Sequence, residues 1–186
     1  TEPALTLPDD PTIQRYPRQM YHYLASKTSI QGKTVLEVGS GRGGGARHIA
    51  STMKPAFYTG MDLAQSAVDL ANKIHPLPNL KFIQGSAEAI PLDSNSIDVV
   101  INVESCHAYG SVEKFLSEVN RVLKPGGHLL LVDFRNEENV ENMNTLKNQL
   151  QNSGMLMLES ENITDNVIRS IEAEDETKKQ RIRTLI

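Results

Sequence analysis

Short β-rich runs alternate with helix-length segments from residue 33 onward, and this alternation constrains the fold more than any other feature of the sequence. Six runs are predicted as strands, and they cover residues 33–38, 57–62, 80–84, 97–103, 128–134 and 155–160. The run at 97–103 is nearly all apolar, as expected for a strand that is buried on both faces. Strands separated by helices predict βαβ units, and therefore a mostly parallel, twisted α/β sheet with helices on both faces.

Residues 112–123 carry the clearest helical pattern. Their apolar side chains recur at the spacing of an amphipathic helix, at Val112, Phe115, Leu116, Val119 and Leu123. Ser111 precedes them as the expected N-cap, and the run Lys124-Pro125-Gly126-Gly127 is typical of a chain that leaves a helix. Helices are also predicted at residues 44–53, 64–75, 137–152 and 165–186.

The composition is that of one globular domain. The 186 residues are 39% hydrophobic and 23% charged, with a formal net charge of −4, which excludes a mainly disordered chain. No apolar run approaches the roughly 20 residues of a membrane helix, and the mildly acidic balance argues against a nucleic-acid partner. The single cysteine excludes an internal disulfide, and the lack of a signal pattern at the start predicts a reducing, cytoplasmic setting.

The chain is predicted to have two parts. Residues 1–29 contain prolines and tyrosines, and we expect an N-terminal arm with a lid helix there. Residues 30–186 are expected to form the main domain.

A glycine cluster follows the first predicted strand. Gly39, Gly41 and Gly43 lie where a parallel sheet lets the polar groups of a ligand approach the backbone. Glycine suits this position because it permits positive φ and leaves room for close approach. The spacing Gly39-x-Gly41-x-x-Gly44 also satisfies the dinucleotide pattern, so an NAD(P)-dependent oxidoreductase stays open as an alternative.

Two acidic residues near this cluster bear on the ligand. Glu37 lies two residues before Gly39, and we expect it at the mouth of the site, where a carboxylate attracts a cationic group and repels a pyrophosphate. Asp62 closes the second predicted strand, the place where an acid binds ribose hydroxyls. Glu37 therefore favours a ligand with a cationic end, and Asp62 fits either kind of cofactor.

An ordered set of motifs resembles those of class I S-adenosylmethionine-dependent methyltransferases. Glu37-x-Gly39-x-Gly41-x-Gly43 resembles the first motif of that family, and Asp62 matches the acid after its second strand. Residues 84–91, Q-G-S-A-E-A-I-P, resemble its third-strand loop, and residues 123–127, L-K-P-G-G, match the turn before its fifth strand.

The resemblance covers roughly residues 30–164 and implies a Rossmann-like fold that binds S-adenosyl-L-methionine and releases S-adenosyl-L-homocysteine. The cofactor-binding residues that it implies are Glu37, Gly39, Ser40, Gly41, Gly43, Asp62, Leu63, Ser86, Ala87, Glu88, Asn102 and Val103. Ser86 departs from the pattern, because the family usually has an aspartate there that contacts the adenine amino group. A serine hydroxyl can accept the same hydrogen bond.

The loop after the fourth predicted strand holds the candidate general base. His107 is expected beside the reacting centre, because the carboxyl ends of strands face the ligand crevice of an open α/β sheet, and imidazole suits removal of a hydroxyl proton. Asp133, at the end of the fifth predicted strand, can orient and stabilise that imidazole. Cys106 is interpreted as a packing residue. The histidines show no metal-ligand spacing, so no metal is expected.

Residues 102–110, N-V-E-S-C-H-A-Y-G, and 123–135 resemble the phthiotriol-type O-methyltransferases of polyketide-derived lipids. The resemblance implies methyl transfer to a hydroxyl of a small, hydrophobic, polyketide- or lipid-derived acceptor. Methylation of a sterol- or quinone-like carbon and a non-catalytic cofactor-binding module stay open as alternatives, as do a homo-oligomer and a domain of a larger synthase.

Class I methyltransferases have a seven-stranded sheet whose last strand is antiparallel. Because only six strands are predicted here, we expect the main domain to lack its closing strand and part of the lid over the acceptor.

Overall fold

The sheet of this protein is entirely parallel. The computed structural model describes residues 15–135 and 142–184. Side chains are described only up to Asp175. The sheet has the strand order β3-β2-β1-β4-β5, and all four strand pairings are parallel. Its strands are β1 (Thr34–Val38), β2 (Phe57–Asp62), β3 (Leu80–Gln84), β4 (Ile97–Val103) and β5 (Leu123–Val132). The predicted α/β class with a parallel sheet is confirmed.

Helices connect or follow these strands. They are α1 (Arg15–Ala25), α2 (Gly44–Thr52), α3 (Gln65–Ile74), α4 (Val112–Val122), α5 (Met143–Asn152) and α6 (Thr164–Thr184), and a short 3₁₀ turn spans Cys106–Ala108. The chain divides into two compact units, of which the second begins at Leu156 and contains α6. Of the helix predicted at residues 137–152, residues 137–141 lie outside the described residues. The described helix begins at Met143.

Each face of the sheet carries its own hydrophobic core. Val35 belongs to the core that α1, α2 and α3 cover, whereas its neighbour Leu36 belongs to the core that α4 and α5 cover. Both side chains are fully buried, because successive residues of a strand point to opposite faces and both faces of this sheet are covered. Because the helices cover the two faces, the end of the sheet where the strands have their carboxyl ends is left open. We call this end the open edge of the sheet.

Helix α4 follows its predicted pattern closely. The Ser111 hydroxyl caps it by accepting a hydrogen bond from the Lys114 backbone N–H at 3.2 Å, and its apolar residues are buried. The helix ends at Val122, and β5 begins at once with Leu123 paired to Ile97. Pairing then resumes at His128 opposite Val99, so the Pro-Gly-Gly run is an irregularity inside a strand rather than a turn before one.

The strand predicted at residues 155–160 is wrong. These residues form no regular element, and the side chains of Leu156 and Leu158 are exposed. An apolar run becomes a strand only where a neighbouring strand pairs with its backbone, and the described residues offer none here. The predicted six strands therefore reduce to five.

Candidate active site

The glycine loop after β1 needs glycine at different positions for different reasons. Gly39, Gly41 and Gly43 all have positive φ, of 79°, 53° and 79°. A Cβ atom on Gly39 would lie 1.8 Å from the Ser105 hydroxyl, and one on Gly43 would lie 2.4 Å from the Phe82 ring. A Cβ on Gly41 would meet no atom within 4 Å, so the loop is open to a ligand at this residue.

The backbone N–H groups of this loop are largely engaged within the protein. Gly39 and Ser40 both donate to the Met61 carbonyl, at 2.8 and 3.0 Å. Gly41 donates to Oδ2 of Asp62 at 2.8 Å, and Gly43 donates to the Ser40 carbonyl at 3.0 Å. Phosphate groups are bound by free N–H donors, so this arrangement does not favour a pyrophosphate.

Asp62 connects the end of β2 to the glycine loop. Besides the bond from Gly41, its Oδ1 accepts the Ala64 N–H at 2.9 Å. Each carboxylate oxygen has two lone pairs, so both oxygens can still accept a bond from a ligand hydroxyl. The geometry is compatible with the predicted role of Asp62 toward a ribose.

Glu37 does not lie at the mouth of the site, and its predicted position is corrected. It is fully buried, and its two oxygens accept hydrogen bonds from the hydroxyls of Tyr21 at 2.7 Å and Tyr58 at 2.9 Å. Burial raises its pKa to about 7, although the two tyrosine hydrogen bonds act in the opposite direction. The residue is the last but one of β1 and lies on the face that α1 covers, which spacing along the chain does not reveal.

Tyr21 is a site residue that the sequence analysis did not identify. It belongs to α1, which packs against α2, and its ring lies over Gly45, where a Cβ atom would be 2.1 Å from the ring. From this position the Tyr21 hydroxyl reaches the Glu37 carboxyl group. The extra glycine at position 45, beyond those that the motif requires, is the sequence signal for this close approach.

Unpaired polar atoms lie beside the glycine loop. Asn102, at the end of β4, donates to the Val38 carbonyl and to the Tyr109 hydroxyl, both at 2.9 Å. Its Oδ1 and the hydroxyl of Ser40 are buried and have no hydrogen-bond partner among the described residues. A buried polar atom without a partner costs about 1–3 kcal/mol, so these two atoms are suited to a polar ligand.

The remaining predicted cofactor residues surround the ends of β2, β3 and β4. Glu88 turns toward α4, where its Oε1 accepts the Ser111 N–H at 3.1 Å, and its own N–H donates to the Ser86 hydroxyl at 3.2 Å. Ala87 is half-buried beside them. Val103 is buried, whereas Leu63 is 70% exposed and presents apolar surface at the open edge.

His107 and Asp133 meet at the ends of β4 and β5. Nδ1 of the imidazole lies 2.7 Å from Oδ1 of Asp133, and the backbone N–H of His107 donates to Oδ2 at 2.8 Å. The Asp133 side chain is fully buried, and that of His107 is about one third exposed, at 32%. The Phe134 ring lies 4.5 Å from the imidazole. A proton on Nδ1 held by the carboxylate leaves Nε2 as a proton acceptor.

Asp133 receives further donors from the same two strand ends. The Cys106 thiol donates to Oδ2 at 2.8 Å, the Arg135 guanidinium contacts Oδ2 at 2.8 Å, and the Phe134 N–H donates to Oδ1 at 2.9 Å. Burial would raise the pKa of Asp133, but the bonds from Cys106, Arg135 and His107 outweigh it and lower that pKa. Cys106 is buried in the core, as its packing role predicts, but it is also a hydrogen-bond donor.

Glu104 is a second residue that the sequence analysis did not single out. It follows β4 directly and has a φ of 46°, a conformation that costs a residue other than glycine about 1–2 kcal/mol. Its N–H donates to the Val132 carbonyl at 2.7 Å, which fixes the turn that leads into the 3₁₀ segment with His107. No pattern in the sequence marks this residue.

Two negative findings hold for residues 15–135 and 142–184. These residues contain no group of three or more His, Cys, Asp and Glu side chains that could hold a metal ion. They also contain no helix that is both long and apolar enough to cross a membrane.

The family model described as a methyltransferase domain matches residues 36–131. This range begins within β1 and ends within β5, so it contains the glycine loop, Asp62 and His107. The chain belongs to this methyltransferase family. The predicted resemblance to class I methyltransferases is confirmed.

Curated relatives support the same family. The phthiotriol/phenolphthiotriol dimycocerosates methyltransferase of Mycobacterium leprae is 40% identical over 174 residues, which are 91% of this chain and 63% of that protein. The fatty-acid O-methyltransferase of Mycolicibacterium smegmatis is 37% identical over 169 residues, which are 91% of this chain and 61% of that protein. The chain therefore spans less than two thirds of the length of these two relatives.

A solved structure shows the same fold. The phosphoethanolamine N-methyltransferase 2 of Haemonchus contortus, in complex with S-adenosyl-L-methionine, superposes with a TM-score of 0.78 at 21% identity. The match covers 89% of this chain and 43% of that protein.

Proposed function

We propose that the chain is the cofactor-binding part of an S-adenosyl-L-methionine-dependent methyltransferase that acts on a hydroxyl of a small, hydrophobic, lipid- or polyketide-derived acceptor. The observation that carries the proposal is the hydrogen-bonded pair of His107 and Asp133 on the strand edge that also bears the glycine loop. The names of the two mycobacterial relatives support a lipid-like acceptor.

The residues around the loop fit this cofactor. When bound, S-adenosyl-L-methionine supplies an electrophilic methyl group on a positively charged sulfur. Gly41 leaves open space, and the unpaired oxygens of Ser40 and Asn102 can bind the methionine end. Because the N–H groups of the loop donate within the protein, the loop suits a cationic ammonium better than a phosphate. This preference argues against the NAD(P) alternative.

The nucleoside end would lie along the next two strand ends. Asp62 would accept the ribose hydroxyls, with oxygens that still have lone pairs to offer. The adenine would be bordered by Leu63 and by residues 86–88, where the Ser86 hydroxyl stands in for the usual aspartate.

Glu37 acts on the methionine end only after Tyr21 moves. While the Tyr21 hydroxyl donates to Glu37, the carboxyl group holds α1 over the start of α2. A ligand ammonium would replace that hydroxyl as the donor, and α1 would then serve as the predicted lid.

His107 takes the acceptor proton in the proposed mechanism. Nδ1 stays protonated and bonded to Asp133, and the acceptor hydroxyl gives its proton to Nε2 as its oxygen becomes methylated. The carboxylate stabilises the resulting imidazolium and holds the ring in place. The Phe134 side chain, 60% exposed beside the imidazole, offers apolar surface to the hydrocarbon part of the acceptor.

The test combines binding and turnover. His107→Ala is expected to lower methyl transfer from labelled S-adenosyl-L-methionine to the hydroxyl groups of long-chain diols by about 100-fold or more, the usual contribution of a general base. Its cofactor affinity, measured by calorimetry, should stay near that of the parent chain. His128→Ala is the matched control, because His128 opens the regular part of β5, away from Asp133.

Three results would contradict parts of the proposal. Normal turnover of His107→Ala excludes the base, and binding of NADH without S-adenosyl-L-methionine excludes the cofactor. Product analysis by NMR that finds a new carbon–methyl bond establishes the C-methylation alternative.

A further inference from the structure

Arg135 is a buried cation next to the proposed base pair. Its side chain is only 4% exposed, although it follows the end of β5 by three residues. Nη1 lies 2.8 Å from Oδ2 of Asp133, and Nη2 lies 3.2 Å from the Cys106 sulfur. An arginine is rarely buried unless it is paired, and its partner here is the carboxylate that holds His107.

The two oxygens of Asp133 divide these partners. Oδ1 faces Nδ1 of His107 and the Phe134 N–H. Oδ2 faces the guanidinium of Arg135, the Cys106 thiol and the backbone N–H of His107. The imidazole and the guanidinium therefore share one negative charge through different oxygens.

This sharing has an electrostatic consequence. A carboxylate beside a histidine favours the imidazolium, whereas a nearby cation disfavours it. With Arg135 on the same carboxylate, the stabilisation of an imidazolium at His107 is partly offset. A base that must accept a proton near neutral pH benefits from this offset, because an imidazole that binds its proton too tightly is already protonated and inactive.

We propose that Arg135 is a positioning residue that acts through Asp133 to weaken the hold of His107 on its proton. This inference rests on the proposed function for its catalytic meaning. The titratable or charged groups in contact with the imidazole or with its carboxylate partner are Asp133 and Arg135 from the end of β5 and Cys106 from the 3₁₀ turn. Arg135 is the cation that bonds to Asp133.

The inference is tested by an NMR titration of His107 in the 186-residue chain, with ¹³C-labelled histidine and a His107→Gln spectrum for assignment. Arg135→Gln removes the charge and keeps a hydrogen-bond donor. We expect it to raise the His107 titration midpoint by about one pH unit, the lower end of the effect of a close charge. Arg135→Met, which keeps much of the apolar length, carries the same expectation.

Two control variants separate charge from packing. Arg135→Lys retains a cation beside Asp133 and should keep the midpoint near that of the parent chain. Lys73→Gln removes one positive charge from the exposed face of α3 and should leave the midpoint unchanged. A midpoint in Arg135→Gln and Arg135→Met that stays the same or falls, in chains with parent-like amide spectra, overturns the inference.

The titration needs neither cofactor nor acceptor, so the two proposals fail separately. If His107→Ala keeps full turnover while Arg135→Gln raises the midpoint, the base assignment is wrong and the coupling stands. If His107→Ala is inactive and the midpoint does not move, the base stands and the role of Arg135 is wrong. If both proposals hold, the acidic limb of the pH profile of kcat/KM for labelled methyl transfer moves to higher pH in Arg135→Gln. The shift in pH equals the shift of the His107 midpoint.

Discussion

At the scale of single residues, neighbouring glycines in one loop have separate tasks. Gly39 is required by its surroundings, because any side chain there would enter the space of Ser105. A Cβ atom on Gly41 would meet no other atom within 4 Å. Only the positive φ of its backbone therefore favours glycine at this position. One motif therefore combines a packing requirement at Gly39 with a conformational requirement at Gly41.

Alanine substitutions separate these two tasks. We expect Gly39→Ala to lower the free energy of unfolding by several kcal/mol, because strain and overpacking add. Gly41→Ala should cost only about 1–2 kcal/mol for its positive φ, yet it should weaken binding of S-adenosyl-L-methionine. Urea denaturation and calorimetric titration of both variants measure the contrast. Equal stability losses would show that the contact with Ser105 relaxes without cost.

At the scale of elements, α1 is fastened to the sheet through a buried carboxyl group. Tyr21 of α1 and Tyr58 of β2 both donate to Glu37. A second contact joins α1 to α2, where Nδ1 of His22 lies 3.2 Å from Nε2 of His48. The position of α1 therefore depends on two groups with shifted pKa values. The pKa of Glu37 is raised and that of His48 is lowered.

Glu37 is expected to make stability depend on pH. Its pKa is raised from 4.5 to about 7 in the folded chain, so the folded state holds a proton that the unfolded state has released between these values. Stability from this group is present at pH 4.5 and is lost as the pH rises to 7, by roughly 2–3 kcal/mol. Glu37→Gln should remove this contribution, so in urea denaturation its stability at pH 8 relative to pH 5 should be higher than that of the parent chain, while the opposite contribution of His48 stays in both.

A matched control for this measurement is Glu172→Gln, which changes an exposed carboxylate of α6. It should leave the difference between pH 5 and pH 8 as it is in the parent chain. An unchanged difference in Glu37→Gln as well would show that Glu37 stays ionised despite its burial. His48, whose pKa burial lowers to about 4, acts in the opposite sense below pH 6.5.

At the scale of the whole molecule, both cores are complete before the second compact unit begins. Among the described residues, the buried members of the first core end at Leu130 and those of the second at Leu146, with Met155 packed against the second. The glycine loop, Asp62, His107 and Asp133 also precede Leu156, the first residue of the second unit.

A chain that ends at Met155 is therefore expected to fold and to bind S-adenosyl-L-methionine within about threefold of the affinity of the 186-residue chain, a difference of less than 1 kcal/mol. Circular dichroism melting and calorimetry compare the two. A chain that ends at Val122 is the control, because it lacks β5 and Asp133 and should not fold. Loss of cofactor binding in the chain that ends at Met155 would place part of the cofactor site in the second unit.

Local sequence was sufficient for the features that depend on neighbours along the chain. The spacing from Val112 to Leu123 predicts α4 and its Ser111 cap, because helical periodicity and capping are local, although Leu123 itself begins β5. The same holds for the order of strands and helices, which implies a parallel sheet and brings His107 and Asp133 to one edge. The motif around Gly39 likewise identifies the family, because it encodes a backbone conformation.

Only the tertiary structure decided what these residues touch. The burial of Glu37 beneath Tyr21 and the shared carboxylate of His107 and Arg135 depend on side chains that meet from different strands and helices. The apolar run at 155–160 has strand-like composition but lacks a pairing partner among the described residues, and backbone pairing is a long-range property. Sequence thus determined the elements and their order, whereas packing determined the hydrogen-bond partners, because burial and charge depend on distances in space rather than along the chain.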